Sequence, residues 1–257
     1  MSFALITGGS KGIGKAIAEE LALKGFNILL VSRSEENLKQ TAEEISSNYK
    51  VHTAYLPLDL SAESSARKVV NWCQSEQFDI SILVNNAGYG LSGKFESYSL
   101  EEHQAMMRIN MDTVIQLSYL FLPQLKQQKQ AYILNIASSA AYQAVPFLSV
   151  YAATKAFILQ FSRGLKHELK GTSVSVTCVS PGSTDTEFAS RAKVGPKAMK
   201  AADKVNMHPR QVASIAVKSL FAKKSEVVVG FINKLGAFFV WLLPKSLVEK
   251  TAANLYQ

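Results

Sequence analysis

The chain has 257 residues and a formal charge of +8, with 47% hydrophobic and 19% charged residues; this is enough to bury a full core, and one α/β domain is expected in preference to two small ones. The excess of base comes without aromatic-basic interleaving or a binding motif, so nucleic acid is not an expected partner. Cys73 and Cys178 stand far apart and read as buried free thiols, and four histidines without ligand spacing argue against a metal site.

Met1 leads directly into an apolar strand at 3–7, with no basic n-region and no small-residue cleavage site, so a cytoplasmic product is expected. Thr7-Gly8-Gly9-Ser10-Lys11-Gly12-Ile13-Gly14 follows and opens a helix at 12–24. A glycine turn between strand and helix lets a pyrophosphate reach the amides of a helix N-terminus. Gly8 permits the tight turn, and Gly12 and Gly14 permit close approach. The spacing Gly-x-x-x-Gly-x-Gly departs from Gly-x-Gly-x-x-Gly, and a turn that serves packing alone also fits it.

A second strand, 27–32, ends in Val31-Ser32-Arg33-Ser34, without the carboxylate that binds a ribose 2′-hydroxyl. Arg33 and Lys11 instead offer two cations suited to a 2′-phosphate, which argues for NADP(H) over NAD(H). The structural alternatives are a solvated Lys11 and an Arg33 paired with Glu35 or Glu36. A helix at 35–47 and a strand at 51–56 lead to Asp59-Leu60 and a helix at 62–74, which Asp59 is also placed to cap.

The fourth strand, 80–85, runs into Asn85-Asn86-Ala87-Gly88, and a helix at 100–122 contains Asn110. The fifth, 132–136, precedes Ser138-Ser139. A helix at 151–170 then begins Tyr151-Ala152-Ala153-Thr154-Lys155. Four-residue spacing puts Tyr151 and Lys155 on one face, about 6 Å apart along the axis. There an ammonium favours the phenolate and draws a phenol that titrates near ~10 toward neutrality. An isolated Tyr-x-x-x-Lys is common on ordinary surface helices, so its neighbours decide its meaning. A strand at 174–179 precedes Pro181-Gly182 and Thr186; a helix near 209–222 and a strand at 226–229 complete the pattern. Seven apolar strands alternating with helices predict an α/β fold with a parallel sheet covered by helices on both faces. The unusual residues all follow strands, where ligands bind in such sheets.

With the glycine turn, Asn85-Asn86-Ala87-Gly88, Ser138, Tyr151-x-x-x-Lys155 and Pro181-Gly182 in this order, the chain resembles the classical short-chain dehydrogenase/reductases from about residue 2 to 230. The resemblance implies a single Rossmann-type, doubly wound domain of about seven parallel strands, a nicotinamide cofactor and a homo-oligomer, dimer or tetramer. It implies that Tyr151 is the acid/base, that Ser138 orients the carbonyl, and that Lys155 lowers the tyrosine pKa and binds the nicotinamide ribose. Ser138 is preferred to Ser139 by its thirteen-residue interval to Tyr151. Asn110 matches the asparagine that holds a water of the proton relay. In the implied cofactor site, Gly8, Ser10, Lys11, Gly12, Ile13 and Gly14 form the turn, and Arg33 meets the phosphate. Asp59 and Leu60 meet the adenine, Asn86, Ala87 and Gly88 line the adenosine ribose, and Pro181, Gly182 and Thr186 flank the nicotinamide.

The resemblance makes residues 187–208 a mobile lid, carrying Arg191, Lys193, Lys197, Lys200 and Lys204 either as a solvated face or as an attraction for an acidic substrate. The extension at 230–257 is strongly apolar, but its uninterrupted run from 235 to 243 is too short to span a bilayer. A subunit interface, a pocket wall and a peripheral membrane contact all fit it. The expected activity is hydride transfer between NADPH and a ketone, aldehyde or 3-oxoacyl substrate. The alternatives are an NADPH-sensing protein without turnover and a membrane-surface scaffold.

Overall fold

The computed structural model describes residues 2–203 and 205–256; Met1, Gln257 and the lid's Lys204 lie outside the described residues. In chain order the elements are β1 (Phe3–Thr7), α1 (Gly12–Leu23), β2 (Asn27–Ser32), α2 (Glu35–Tyr49), β3 (Thr53–Pro57), α3 (Ser65–Ser75) and β4 (Ile80–Asn85). There follow α4 (Leu100–Met107), α5 (Thr113–Gln127), β5 (Ala131–Ile136), α6 (Ser149–Glu168), β6 (Val174–Ser180), α7 (Phe188–Arg191) and α8 (Pro196–Asp203). The chain closes with α9 (Pro209–Phe221), β7 (Glu226–Val228), α10 (Phe231–Leu242) and α11 (Lys245–Tyr256).

Seven strands pair in the order β3-β2-β1-β4-β5-β6-β7, all parallel. Strand alternation divides the core: Ala4 and Ile6 of β1 face α1, α2 and α9, whereas Leu5 faces α3 and α5. Burial on both faces is why the strands read as nearly continuous apolar runs. The chain crosses from one side of β1 to the other between β3 and β4, so the crevice for a ligand opens at the carboxyl ends of β1 and β4.

The sequence places every strand to within two residues at its start. β3 begins at Thr53, two residues late, and ends on Pro57, which an edge strand tolerates. The single helix expected at 100–122 differs more. It starts from a capping box between Ser99 and Glu102, widens into one π-turn at Arg108–Asp112, and continues to Gln127 with Pro123 inside it. Pro123 lies on the exposed side, where water serves the carbonyl that a proline leaves unbonded. Asp59 does not cap α3; its Oδ1 accepts from the amide and hydroxyl of Ser61 at 2.9 and 2.7 Å, and α3 starts at Ser65. Cys73 and Cys178 are buried free thiols.

Candidate active site

The glycine turn is built from its neighbours. Asn86 Nδ2 donates to the carbonyls of Thr7 and Gly8 at 3.0 and 3.1 Å, and Thr7 Oγ1 accepts from the amides of Asn86 and Ala87. Gly8 has φ +64°, and a Cβ on Gly14 would lie 2.1 Å from the carbonyl oxygen of Gly8, so neither position accepts a side chain. α1 begins without a capping side chain and with no acid in its first turn, which leaves its amides for an anion.

These residues line one end of a cavity of about 860 Å³ that runs past Ser32, Arg33, Ala87 and Gly88 to Ser138, Tyr151 and Lys155. Ser32 Oγ is buried in its wall without a partner. The anion-free helix end, the closed glycine turn and this hydroxyl fit the phosphates and ribose of a dinucleotide. Leu60 and Gly182 line the cavity too, as do Pro181 and Thr186.

Cations gather where β2 ends. Arg33 makes no ion pair among the described residues, so the pairing with Glu35 or Glu36 is not formed; those acids occupy the first turn of α2, which Ser34 caps. Lys11 is not simply solvated, since it pairs with Glu187 of the lid. A third cation, Arg191 at the end of α7, lies over the Tyr89 ring at 4.7 Å from its centroid and also lines the cavity. Burial first, and the charge of Arg33 second, pull the Arg191 guanidinium below its ordinary range. The carboxylate whose charge both arginines feel is Asp59. Burial opposes its ionisation, but the bonds from Ser61 and the charges of Arg33 and Arg191 hold it below the usual carboxylate range.

At the other end Ser138 lines the cavity beside Tyr151, and its Oγ accepts from the amide of Ala140 at 3.1 Å. Ser139 instead spends its amide on the carbonyl of Pro181 at 2.7 Å. Tyr151 is 7% exposed, with Phe188 of the lid packed on its ring at 5.2 Å between centroids. Lys155 is 5% exposed; its Nζ donates to the carbonyl of Ile136 at 3.0 Å and lies 5.8 Å from the centre of the Tyr151 ring.

One expectation is corrected here. The lysine does not draw the phenol down in the protein by itself: burial pushes Tyr151 up to about 12, with the Ser138 hydroxyl opposing it, and burial pulls Lys155 down to about 8. Both charged forms lose water, and a separation of this size gives back less than that loss. Asn110 is fixed by three side-chain hydrogen bonds. Its Oδ1 accepts from the amide of Tyr89 at 3.1 Å, and its Nδ2 donates to the carbonyl of Tyr89 and to Thr154 Oγ1 at 2.9 and 3.0 Å. The amide is spent on holding the π-turn against α6.

Three residues of the site escape sequence reading. Phe188 covers Tyr151, Arg191 joins Arg33, and Tyr256, the end of α11, packs in the cluster of Tyr151 and raises its pKa further. The clustering of basic residues in the lid is the one sequence signal that points toward Arg191.

A β-sheet wound this way, with a glycine turn and a serine beside a buried tyrosine-lysine pair at its carboxyl edge, defines a dinucleotide-dependent oxidoreductase. Residues 2–196 match the family described as short chain dehydrogenase, and the chain belongs to that family. It is 33% identical over 232 residues to the ketoacyl reductase HetN of Nostoc sp., covering 88% of this chain and 77% of that protein. It is 36% identical over 193 residues to the very-long-chain 3-oxoacyl-CoA reductase of Bos taurus, covering 73% of this chain and 61% of that one. It superposes on a short-chain dehydrogenase from Sphingobium yanoikuyae in complex with NADPH with a TM-score of 0.82 at 26% identity, over 96% of this chain and 95% of the other.

Proposed function

We propose that the protein is an NADP(H)-dependent carbonyl reductase whose proton donor is Tyr151, and that its substrate is a lipophilic ketone of the 3-oxoacyl thioester class. The observation that carries this reading is a single cavity lined by Arg33 and Lys11 at one end and by Ser138, Tyr151 and Lys155 at the other. NADPH, when bound, supplies the hydride that reduces the carbonyl carbon. The glycine turn and the first amides of α1 would hold the pyrophosphate, and Asn86, Ala87 and Gly88 would line the adenosine ribose. Leu60 would meet the adenine, with Asp59 behind it acting through the arginines, and Pro181, Gly182 and Thr186 would flank the nicotinamide. Lys155 would hold the cofactor ribose, and Ser138 would donate to the carbonyl oxygen that Tyr151 would protonate. A water of the proton relay near Asn110 must bind main-chain atoms of the π-turn, since the side-chain amide is engaged.

The acyl-chain reading is supported by the apolar wall at the substrate end, formed by Leu148, Phe188, Val194, Ala198, Ala202 and Tyr256, and by the reductases named among the relatives. A homo-oligomer belongs to the same reading, with Tyr119 on α5 and Phe157 on α6, 75% and 38% exposed, as apolar side chains for a second copy to cover. Sedimentation equilibrium of Tyr119→Glu against the wild type checks it: an unchanged mass removes that face.

Cofactor choice is tested by binding, followed through the fluorescence of the reduced nicotinamide. Arg33→Ala is expected to weaken NADPH by about 10- to 100-fold, the scale of a charge-assisted contact, and NADH by less than about threefold. Arg191→Ala is expected to act in the same direction, by about fivefold, because its guanidinium reaches the same end of the cavity from a partly exposed lid. Equal losses for the two nucleotides would remove both arginines from the 2′-phosphate.

A further inference from the structure

The tail turns its apolar side chains outward. α10 has no buried residue: Phe231 and Trp241 are each 79% exposed, with Ile232, Phe238, Phe239 and Leu242 exposed beside them. A monomer seldom leaves so many large apolar groups together in water. The face is held on a fixed element, because Asn233 Nδ2 donates to the carbonyl of Val229 at 2.7 Å and its side chain stands against Gly182. Beyond Leu243 and Pro244, α11 returns to the active site, where Ala252 and Tyr256 pack in the cluster of Tyr151.

Charge and length choose the occupant. From residue 230 onward the chain carries Lys234, Lys245 and Lys250 against one acid, Glu249, in a protein already at +8. The three lysines are exposed, and none is ion-paired among the described residues. A second copy on the same face would double these lysines around one apolar contact, whereas an anionic lipid surface meets them with opposite charge. Twelve helical residues extend about 18 Å, well short of a hydrocarbon core of about 30 Å, and no helix of the described residues is long and apolar enough to cross a membrane. A short helix with apolar side chains, an interfacial tryptophan and flanking lysines lies in the plane of the headgroups. We infer that α10 docks on the surface of an anionic bilayer, and that α11 thereby keeps the Tyr256 wall of the cavity beside the lipid.

The test needs neither substrate nor cofactor, so it stands apart from the reading of Tyr151. The full chain is sedimented with vesicles of phosphatidylcholine alone and of phosphatidylcholine mixed with phosphatidylglycerol, while tryptophan emission is followed. Trp72 is packed against Phe78 at 5.4 Å between centroids, so a change in emission reports Trp241. The expected result is sedimentation with the mixed vesicles, a blue shift, and release by salt. Phe238→Glu/Leu242→Glu, at exposed positions that leave the core intact, is expected to lower the partition at least tenfold. Wild-type protein that stays in the supernatant with both vesicles overturns the inference, as does equal binding to neutral vesicles or by the double variant. A dimer that the double variant dissociates, without vesicle binding by either protein, would give the face to a second copy instead.

Discussion

Tyr151→Phe is expected to lower kcat by about 10²- to 10⁴-fold, the usual contribution of a positioned general acid, while the dissociation constant for NADPH stays within about twofold. The ring remains, so its packing on Phe188 and the floor of the cavity are kept. Only the hydroxyl is lost. A phenol pushed up to about 12 is a neutral donor at pH 7, which suits the reductive direction, in which an alkoxide must be protonated as it forms. Stopped-flow binding and steady-state turnover of the variant separate the two effects. Turnover within tenfold of the wild type would assign the proton to another group.

The second large effect is on stability. Lys155→Met is expected to remove activity and yet raise the melting temperature. The wild-type protein buries an ammonium whose hydrogen bond is to the carbonyl of Ile136, and burial lowers its pKa from 10.5 to about 8. That drop is worth about 3 kcal/mol against the folded state below pH ~8. Methionine keeps the length of the side chain without the charge, and the carbonyl left unbonded takes back about 1 kcal/mol. The net gain of about 2 kcal/mol corresponds to roughly 4–8 °C for a chain of this size. Between pH ~8 and ~10.5 the unfolded wild-type chain holds a proton that the folded one has released, so wild-type stability rises with pH and the difference closes. Tyr151, raised to about 12, costs both proteins stability equally above pH ~10 and cancels in the comparison. Calorimetry at pH 7 and pH 10 checks both points; a variant that melts lower than wild type at pH 7 would mean that the lysine stabilises the site it occupies. A residue kept at such a cost is a mark of function over stability.

The strands and the glycine turn were legible in the sequence because they depend on local signals: apolar runs, strand-end glycines and four-residue spacing. The thirteen-residue interval to Tyr151 singles out Ser138 over Ser139, and both serines line the cavity beside Tyr151. The π-turn was not legible, since it exists through Asn110 bonding to Tyr89 and Thr154, partners 21 and 44 residues away. Arg191 read as one of several solvated bases because only the fold of the lid sets it over Tyr89. The direction of the Tyr151 shift was missed for a related reason. Helical spacing fixes how near Lys155 stands but not how dry the site is, and dryness decides the sign.

The most direct measurement is the oxidation of NADPH by the wild-type protein, followed by absorbance, against a series of 3-oxoacyl thioesters, aldehydes and bulky ketones, with NADH run beside it. Carbonyl-dependent oxidation of NADPH, faster with longer acyl chains and much slower with NADH, is the expected result. Tight NADPH binding with no oxidation in the presence of any carbonyl would contradict it and leave a sensor of the nucleotide in place of a reductase.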